Sequence, residues 1–357
     1  MNNKIKILVV GCGNMGASHA QAYHDMEDFE IVGLVSRRDS KVALNKALGA
    51  DYPLYDDYDE ALAAARPDAV CISTYPDTHE EYAIKAFQAG AHVFVEKPLA
   101  DTVAGAEAVI DAAKQADKKL VVGYILRHHP SWIKFIEIGR SMGYPLVMRM
   151  NLNQQSEGHM WDVHRNLMES LSPIVDCGVH YIDVMCQMTD AKPVSVSAIG
   201  ARLTDDIPTE RYNYGQLQIR FSDGSVGWYE AGWGPMISET AFFIKDVFGP
   251  KGSVSIVAKE ASASGQSDTV ESHTKTESLK VHYAEIDAKN RFTREDQWVD
   301  LHDEPDHQEL CNREQRYFSQ AIREDLDLHR SMDDALNSLK IALACDQSVL
   351  TGQIVSL

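Results

Sequence analysis

A glycine-rich turn near the start of the chain restricts the possible folds more than any other feature. Gly11, Gly13 and Gly16 follow a short apolar run, residues 5–10, and precede an alanine-rich stretch with helical periodicity, residues 17–26. With this spacing, the first glycine permits a tight turn, the second lets the backbone approach a pyrophosphate, and the third lets strand and helix pack closely. Phosphates then lie at the helix N-terminus, which favours anions. We therefore expect a dinucleotide to bind at residues 11–16, Asn14 and Met15 included; a plain glycine-rich turn is the alternative.

The first third of the chain alternates short apolar runs with longer amphipathic stretches. The predicted strands are residues 5–10, 31–35, 69–72, 92–95 and 120–123. The predicted helices are residues 17–26, 41–48, 79–89 and 103–116, with a shorter one at 56–65. Such alternation is typical of a doubly wound parallel sheet with helices on both faces and right-handed crossovers. We expect residues 1–124 to form a Rossmann domain.

The pattern changes after Gly123 and predicts an α+β domain over residues 125–357. Its expected helices are residues 130–140, 174–188, 307–324 and 331–350. Its expected strands, mostly antiparallel in one large open sheet, are residues 145–153, 194–201, 212–221, 226–233, 241–248 and 253–257. Residues 258–278 are polar and predict a mobile or solvated loop. The closing helices, about 307–350, are candidates to pack back on the first domain.

Composition narrows the class of protein. With 357 residues, 34 Lys and Arg against 53 Asp and Glu, and a net charge of -19, the chain is a poor match for a nucleic-acid binder. The six cysteines show no paired spacing, which argues against a zinc clip or a secreted disulfide framework. The first apolar run is too short for a signal peptide or a membrane span. We expect a cytoplasmic protein without a membrane partner or a bound metal.

The end of the second strand bears on cofactor choice. An acidic residue usually accepts the ribose hydroxyls of NAD at this position, but the chain has Ser36, Arg37 and Arg38. Guanidinium groups offer bidentate, charge-assisted hydrogen bonds to a 2'-phosphate. The sequence slightly favours NADP over NAD. Alternatively, the two arginines are solvated or stack on an adenine, and NAD is used.

The fifth strand ends in Glu96, Lys97 and Pro98. Ligands of open α/β sheets bind outside the carboxyl ends of the strands, so this motif is expected in the crevice. The proline restricts the backbone on both sides of its peptide bond, and neighbours and burial can tune the lysine pKa. On an ordinary surface, a Glu-Lys pair would be only a solvated face.

Asp176 and His180 lie four residues apart in a predicted helix and so share one face. Imidazole exchanges a proton near neutral pH, and a neighbouring carboxylate can orient it. Oxidation of a carbinol needs such a group, because the hydroxyl proton must leave with the hydride. The structural alternative is a capping aspartate beside a core histidine.

These motifs together resemble the glucose-fructose oxidoreductase, inositol dehydrogenase and rhizopine-catabolism (Gfo/Idh/MocA) family over nearly the whole chain. The resemblance implies that Lys97 binds and polarises the reacting oxygen and that His180, paired with Asp176, is the general acid/base. It implies further cofactor contacts from Ser73, Thr74, Tyr75, His79, Glu96 and Arg127. It also implies substrate contacts from Lys97, Arg127, Asp176 and His180, and from the loop residues Trp161, His164 and Arg165.

The chain departs from the family pattern just before Asp176. Many members have a glycine-rich stretch there, whereas this chain has Leu171, Ser172, Pro173 and Ile174, which predicts a reshaped substrate pocket. The run Arg127, His128 and His129 is also unusual, but no third ligand with suitable spacing makes it a metal site.

The resemblance implies hydride transfer between a nicotinamide and a secondary carbinol or ketone of a sugar, sugar acid or cyclitol. Two alternatives remain: a glycosidase that acts by transient oxidation and elimination, and a non-catalytic sensor of dinucleotide or sugar. Aromatic residues of the second sheet, Trp228, Tyr229 and Trp233, are expected to bury one face against another copy. The expected assembly is a homodimer or homotetramer.

Overall fold

The computed structural model describes residues 4–238, 244–257, 274 and 276–357. The chain divides into two compact units. Unit 1 comprises Met1–Ile125 and Gln308–Leu336, and unit 2 comprises Leu126–His307 and Asn337–Leu357. Within the described ranges, no helix has both the length and the apolar character needed to cross a bilayer.

Unit 1 contains a six-stranded, wholly parallel sheet in the order β3-β2-β1-β4-β5-β6. Its strands are β1 (Ile5–Val10), β2 (Phe29–Val35), β3 (Leu54–Tyr55), β4 (Ala69–Ile72), β5 (His92–Glu96) and β6 (Leu120–Gly123). Its helices are α1 (Asn14–Asp25), α2 (Ser40–Ala47), α3 (Tyr58–Ala65), α4 (His79–Gln88) and α5 (Val103–Ala116). The Rossmann prediction is confirmed. The strand order reverses between β1 and β4, which is where such sheets bind nucleotides.

Unit 2 contains a nine-stranded sheet in the order β14-β13-β12-β11-β7-β10-β9-β8-β15. Only the pair β7 and β10 is parallel among the described pairings, so the sheet is mostly antiparallel as predicted. Its strands are β7 (Val147–Gln154), β8 (Pro193–Ala201), β9 (Tyr214–Phe221), β10 (Val226–Trp233), β11 (Lys245–Gly249), β12 (Gly252–Val257), β13 (Ser278–Tyr283), β14 (Gln297–Val299) and β15 (Val355–Ser356). Its helices are α6 (Pro130–Ser141), α7 (Gly158–Met168) and α8 (Val179–Met188).

Two closing helices, α9 (His307–Arg323) and α10 (His329–Thr351), follow the second sheet in the sequence. Helix α9 belongs to unit 1 from its second residue onward. Helix α10 belongs to unit 1 up to Leu336 and to unit 2 from Asn337. Phe318 on α9 is fully buried and packs on Phe94 of β5, with ring centroids 6.1 Å apart. The C-terminal segment therefore completes the core of unit 1.

Four short strands, β3, β13, β14 and β15, were not predicted from the sequence, because runs of two to six residues show little periodicity. Helix α7 was predicted as a loop; its sequence is polar, and only His164 and Met168 are buried along it. Residues 258–273, most of the predicted mobile loop, and residues 241–243 of a predicted strand lie outside the described residues.

Of the aromatic residues expected to help bury one face of the unit 2 sheet against another copy, Tyr229 and Trp233 do not share a face with Trp228. Side chains alternate along a strand, so Tyr229 and Trp233 point to one face of β10 and Trp228 to the other. Tyr229 and Trp233 are fully buried in the core of unit 2, whereas Trp228 is half-buried on the opposite face.

Candidate functional site

The glycine turn has the geometry that close backbone packing requires. Gly11 has a φ of +92°, and a Cβ there would lie 2.3 Å from the Ser73 carbonyl oxygen. A Cβ on Gly16 would lie 1.9 Å from the Gly11 carbonyl oxygen. A Cβ on Gly13, in contrast, would meet nothing within 4 Å. Close packing therefore explains why residues 11 and 16 must be glycine. The open space beside Gly13, in contrast, fits a ligand that approaches the backbone closely.

The N-terminus of α1 points toward this space. Gly13 is its N-cap and forms no side-chain capping hydrogen bond. The first N–H groups of a helix lack intrahelical acceptors and, with the helix dipole, favour an anion. Helix α1 also has no acidic residue in its first turn that would repel one. The residues present therefore fit the pyrophosphate of a dinucleotide.

The loop after β2 presents both predicted arginines. Arg37 and Arg38 are exposed, and Ser36 is half-buried with its Oγ 2.8 Å from the Ser40 Oγ. Lys41 is buried against this loop and stabilises its backbone. Its ammonium donates hydrogen bonds to the carbonyl oxygens of Ser36 (2.8 Å) and Arg38 (3.1 Å). The two guanidinium groups thus extend from a loop whose backbone is fixed, as a phosphate clamp requires.

His79 has a structural position in unit 1. The ring is fully buried, with Nδ1 2.8 Å from the Pro98 carbonyl oxygen and Nε2 3.1 Å from that of Thr74. Burial lowers the pKa of His79, so the ring is neutral and only one nitrogen donates at a time. His79 thus connects the Glu-Lys-Pro motif to the loop that contains Thr74, while Tyr75 is exposed. Contacts of this loop and of His79 with a cofactor remain predictions.

Glu96 is buried at the end of β5 and fixes the backbone of the half-buried Lys97. One carboxylate oxygen lies 2.7 Å from His19 Nε2, and the other accepts the Lys97 backbone N–H at 3.3 Å. Gly123 faces Glu96 on β6, where a Cβ would lie 3.2 Å from that carboxylate. Burial raises the pKa of Glu96, but the hydrogen bond from His19 and the nearby ammonium of Lys97 lower it overall below its usual value. The site therefore holds an anion directly beside Lys97.

In unit 2, Asp176 and His180 reach the surface of an otherwise buried stretch. Ile174–Gly178 forms one π-helical turn that leads directly into α8. Of residues 171–180, only Asp176 and His180 are half-buried; the other eight are buried. π-Helical turns occur frequently at functional sites. The predicted acid/base pair is thus the part of this segment that can meet a substrate.

Arg127 makes an ion pair with α8. Its Nε donates to Asp183 Oδ2 at 2.8 Å and its Nη2 to Asp183 Oδ1 at 2.5 Å. The Asp183 side chain is almost fully buried and also accepts from Gln187. Burial and the charge of Arg127 lower the pKa of the neighbouring His128 to about 4. The structure therefore places Arg127 as an anchor for the helix that carries His180; its predicted ligand contacts remain predictions.

The three predicted substrate residues of α7 differ in exposure. His164 is buried, stacks on Trp233 at 4.4 Å between ring centroids, and has its Nδ1 2.9 Å from the Ser156 Oγ. Trp161 and Arg165 are half-buried, and the guanidinium lies 5.8 Å from the indole centroid. Trp161 and Arg165 are thus partly exposed, Arg165 beside Asp162, whereas His164 packs inside the unit; contacts of all three with a substrate remain predictions.

Sequence reasoning missed the side chains that hold the predicted ones. His19 and Gln315 behind Glu96, Asp183 behind Arg127 and Lys41 below the arginine loop all come from separate helices. None of them belongs to a recognisable motif, although Lys41 and His19 follow the predicted cofactor segments by only a few residues. Unit 1 thus assembles the glycine turn, the arginine loop and Lys97, while unit 2 assembles Asp176, His180 and α7.

Two family models match the chain. Residues 5–124 match the GFO_IDH_MocA model, described as an oxidoreductase family with an NAD-binding Rossmann fold, and residues 137–255 match the GFO/IDH/MocA C-terminal domain. An inositol 2-dehydrogenase of Klebsiella pneumoniae subsp. pneumoniae is 29% identical over 187 residues, which is 51% of this chain and 53% of that protein. A 4-carboxy-2-hydroxymuconate-6-semialdehyde dehydrogenase of Sphingobium sp. is 31% identical over 170 residues, 45% of this chain and 54% of that protein. These matches span about half the length of the curated relatives.

Two solved structures have the same fold as this chain over almost its full length. A scyllo-inositol dehydrogenase from Lactobacillus casei, solved with NAD(H) and scyllo-inositol, has a TM-score of 0.76 at 20% identity, covering 99% of each chain. An NAD-binding oxidoreductase from Klebsiella pneumoniae has a TM-score of 0.78 at 20% identity, again over 99% of each chain. At such identities the likeness shows the fold alone. With both family models matched in order along one chain, this protein is a member of the GFO/IDH/MocA oxidoreductase family.

Proposed function

We propose that this protein is an NAD(P)-dependent oxidoreductase that moves a hydride between a nicotinamide and a secondary carbinol or ketone of a sugar, sugar acid or cyclitol. The observation that carries the proposal is the partial exposure of Asp176 and His180 in an otherwise buried stretch. A sensor needs no proton-transfer group at that position, whereas oxidation of a carbinol does. The inositol dehydrogenases among the relatives support a polyol substrate.

Each residue has a defined part in this mechanism. The bound nicotinamide supplies the hydride acceptor or donor. His180 takes the hydroxyl proton during oxidation and returns it during reduction, while Asp176 stabilises the charged imidazole. Lys97 binds the reacting oxygen and stabilises the negative charge that develops on it. The glycine turn and the N-terminus of α1 hold the pyrophosphate.

We infer that NADP is preferred over NAD. Family membership establishes a Rossmann fold of the NAD-binding type but does not discriminate between the two. No carboxylate is present at residues 36–38, where one would accept ribose hydroxyls and repel a 2'-phosphate. Arg37 and Arg38 are exposed on a loop that Lys41 anchors.

A panel of inositols, sugars, sugar acids and aryl glycosides, assayed with NAD and NADP in parallel, tests both statements. At least one polyol should reduce NADP with a kcat/KM about tenfold or more above that with NAD, since a charge-assisted contact to the 2'-phosphate contributes about 1.4 kcal/mol or more, which corresponds to that ratio. The variant R37A/R38A should lose this advantage while keeping its activity with NAD; R66A, at an arginine outside the loop, is the matched control.

Other outcomes contradict the proposal in different ways. Phenol release from an aryl glycoside without a lasting change in nicotinamide absorbance would establish the elimination glycosidase instead. Binding of cofactor and polyol without turnover across the panel would favour the sensor. Equal use of NAD and NADP by the wild type would contradict only the cofactor preference.

We further propose that the open face of the unit 2 sheet packs against a second copy of the chain. Val147, Val226 and Trp228 lie on this face, on two adjacent strands, and line a cavity of about 720 Å³. Exposed apolar residues that are contiguous across strands mark an interaction surface. Light scattering at micromolar protein should give the mass of a dimer or tetramer, and W228E/V226E should shift it toward the monomer. A wild-type mass of one chain would contradict the assembly.

The state of the cysteine side chains supports a cytoplasmic location. All six cysteines are free and buried. Proteins of oxidising compartments usually form disulfides, whereas reduced, buried thiols are typical of the cytosol.

A further inference from the structure

A cluster of polar side chains lies buried in unit 1 behind the Glu-Lys-Pro motif. Helix α1 contributes His19 and Tyr23, and α9 contributes Glu314 and Gln315, all of them buried. None of these residues belongs to the predicted cofactor or substrate set. Burying several polar groups together is costly unless each is satisfied, so their hydrogen bonds show what the cluster is for.

The hydrogen bonds form one chain that ends at Glu96. The Tyr23 hydroxyl donates to Gln315 Oε1 at 2.6 Å, which leaves the Gln315 amide nitrogen facing His19 Nδ1 at 3.0 Å. An amide nitrogen can only donate, so His19 Nδ1 accepts and its proton lies on Nε2. That Nε2–H donates to Glu96 Oε1 at 2.7 Å. The chain therefore sets both the tautomer of His19 and the orientation of the Glu96 carboxylate.

Glu314 is the one residue of this cluster with a buried oxygen that no hydrogen bond satisfies. Its side chain is 1% exposed, yet its Oε1 has no hydrogen-bond partner. A carboxylate oxygen of Glu314 lies within 4.8 Å of a ring nitrogen of His19, whose Nε2 contacts Glu96. Two carboxyl groups thus flank one imidazole, and only Glu96 has donors. Close carboxyl groups in a buried site cannot both be ionised cheaply, so one of them holds a proton.

We propose that Glu96 and Glu314 hold a single proton between them, that this proton resides on Glu314, and that the Glu96 anion held by His19 is the positioning group for Lys97. Burial and the charge of Glu96 both raise the pKa of Glu314 well above its usual range, whereas that of Glu96 is lowered overall. The titratable groups that face this pair come from α1, β4, α4 and α9 and from the residue after β5; they are His19, Tyr23, Cys71, His79, Lys97 and Cys311.

This protonation pattern connects helix α9 to the Glu-Lys-Pro motif. The Glu96 anion accepts the Lys97 backbone N–H and lies within electrostatic range of its ammonium. Lys97 is therefore held in place and kept charged by a carboxylate whose orientation depends on Gln315, 219 positions later in the chain. This inference rests on the proposed role of Lys97 in polarising the substrate oxygen.

A metal ion is the competing explanation for the cluster. His19, Cys311 and Glu314 offer nitrogen, sulfur and oxygen atoms that all lie within 4.8 Å of one another. Both nitrogens of His19 already have hydrogen-bond partners, however, which leaves no lone pair for a metal. Elemental analysis of the purified protein decides the matter: about one zinc per chain, lost in C311S, would overturn the shared-proton assignment.

The experiment compares two isosteric changes, E96Q and E314Q. An amide mimics a neutral carboxyl group, so E314Q should keep kcat within about twofold, whereas E96Q removes the anion and should lower kcat about tenfold or more. In E96Q the alkaline limb of the kcat/KM profile should also move to lower pH, because an ammonium without a nearby anion releases its proton more easily. A purely structural role of Glu96 would not move that limb. The opposite ranking of the two variants would overturn the proposal.

Infrared spectroscopy gives a second readout that needs neither turnover nor a stable E96Q protein. The wild type at neutral pH should show the carbonyl stretch of a protonated carboxyl group, and E314Q should lack that band. Identical spectra would overturn the protonation of Glu314 even if the enzyme proved fully active. If no substrate turns over but the band is present and lost in E314Q, the oxidoreductase proposal fails while the protonation assignment stands.

Discussion

Replacing Lys97 with methionine, or His180 with glutamine, should lower turnover by about a hundredfold or more while affinity for the nicotinamide nucleotide changes little. Methionine keeps the length of the Lys97 side chain but removes the charge that stabilises the reacting oxygen. Glutamine keeps hydrogen-bonding capacity at position 180 but cannot exchange a proton near neutral pH. The measurements are kcat with the best polyol of the panel and cofactor affinity by fluorescence titration.

Matched controls separate these effects from a general loss of folding. K114M changes an exposed lysine of α5, and H302N changes an exposed histidine outside any helix or strand. Both controls should retain wild-type kcat and thermal stability. A K97M/H180Q double variant with wild-type turnover would end the assignment. Loss of nucleotide binding alone would instead make Lys97 a cofactor residue.

Replacing Arg127 with methionine should destabilise unit 2 by about 3–5 kcal/mol, because it leaves the buried Asp183 carboxylate without its partner. Removing both charges in R127M/D183L should recover much of that loss, since an apolar pair of similar volume avoids the cost of burying an unpaired charge. Denaturant unfolding of the three variants and the wild type measures the difference. R140M removes a more exposed ion pair with Asp190 and should cost little.

The same variants test the ligand role that the family resemblance implies for Arg127. If R127M unfolds like the wild type but raises the KM for polyol or cofactor about tenfold, the guanidinium binds a ligand and its ion pair with Asp183 is incidental. Recovery of both stability and kcat in the double variant would show that Arg127 acts only through its ion pair with Asp183 and makes no contact with a ligand.

The fold followed from local features of the sequence. Apolar runs separated by amphipathic stretches predicted the parallel sheet of unit 1 and its right-handed crossovers, whereas the order of the strands came from the structure. The strands of unit 2 were predicted where period-two alternation is strong, as in β9, and missed where strands have two or three residues, as in β14 and β15. Helix α7 was missed because its stability comes from packing of His164 and Met168 rather than from its composition.

The candidate site divides in the same way. Gly11, Gly13 and Gly16, the arginine loop, the Glu-Lys-Pro motif and the pair Asp176 and His180 were all recognisable, because each is a contiguous motif whose spacing relates directly to a turn or a helical face. The supporting side chains were not. His19 and Glu96 are 77 positions apart, and Gln315 and His19 are 296 apart.

By itself, the sequence determined the longer, strongly periodic strands and helices and the motifs typical of dinucleotide binding or proton transfer, since these depend on neighbours along the chain. Only the tertiary structure decided which buried carboxylate has hydrogen-bond donors, which arginine is committed to an ion pair and which aromatic residues of β10 are in the core. Those properties depend on burial and on the side chains that distant segments bring within hydrogen-bonding distance, and no local pattern encodes either of them.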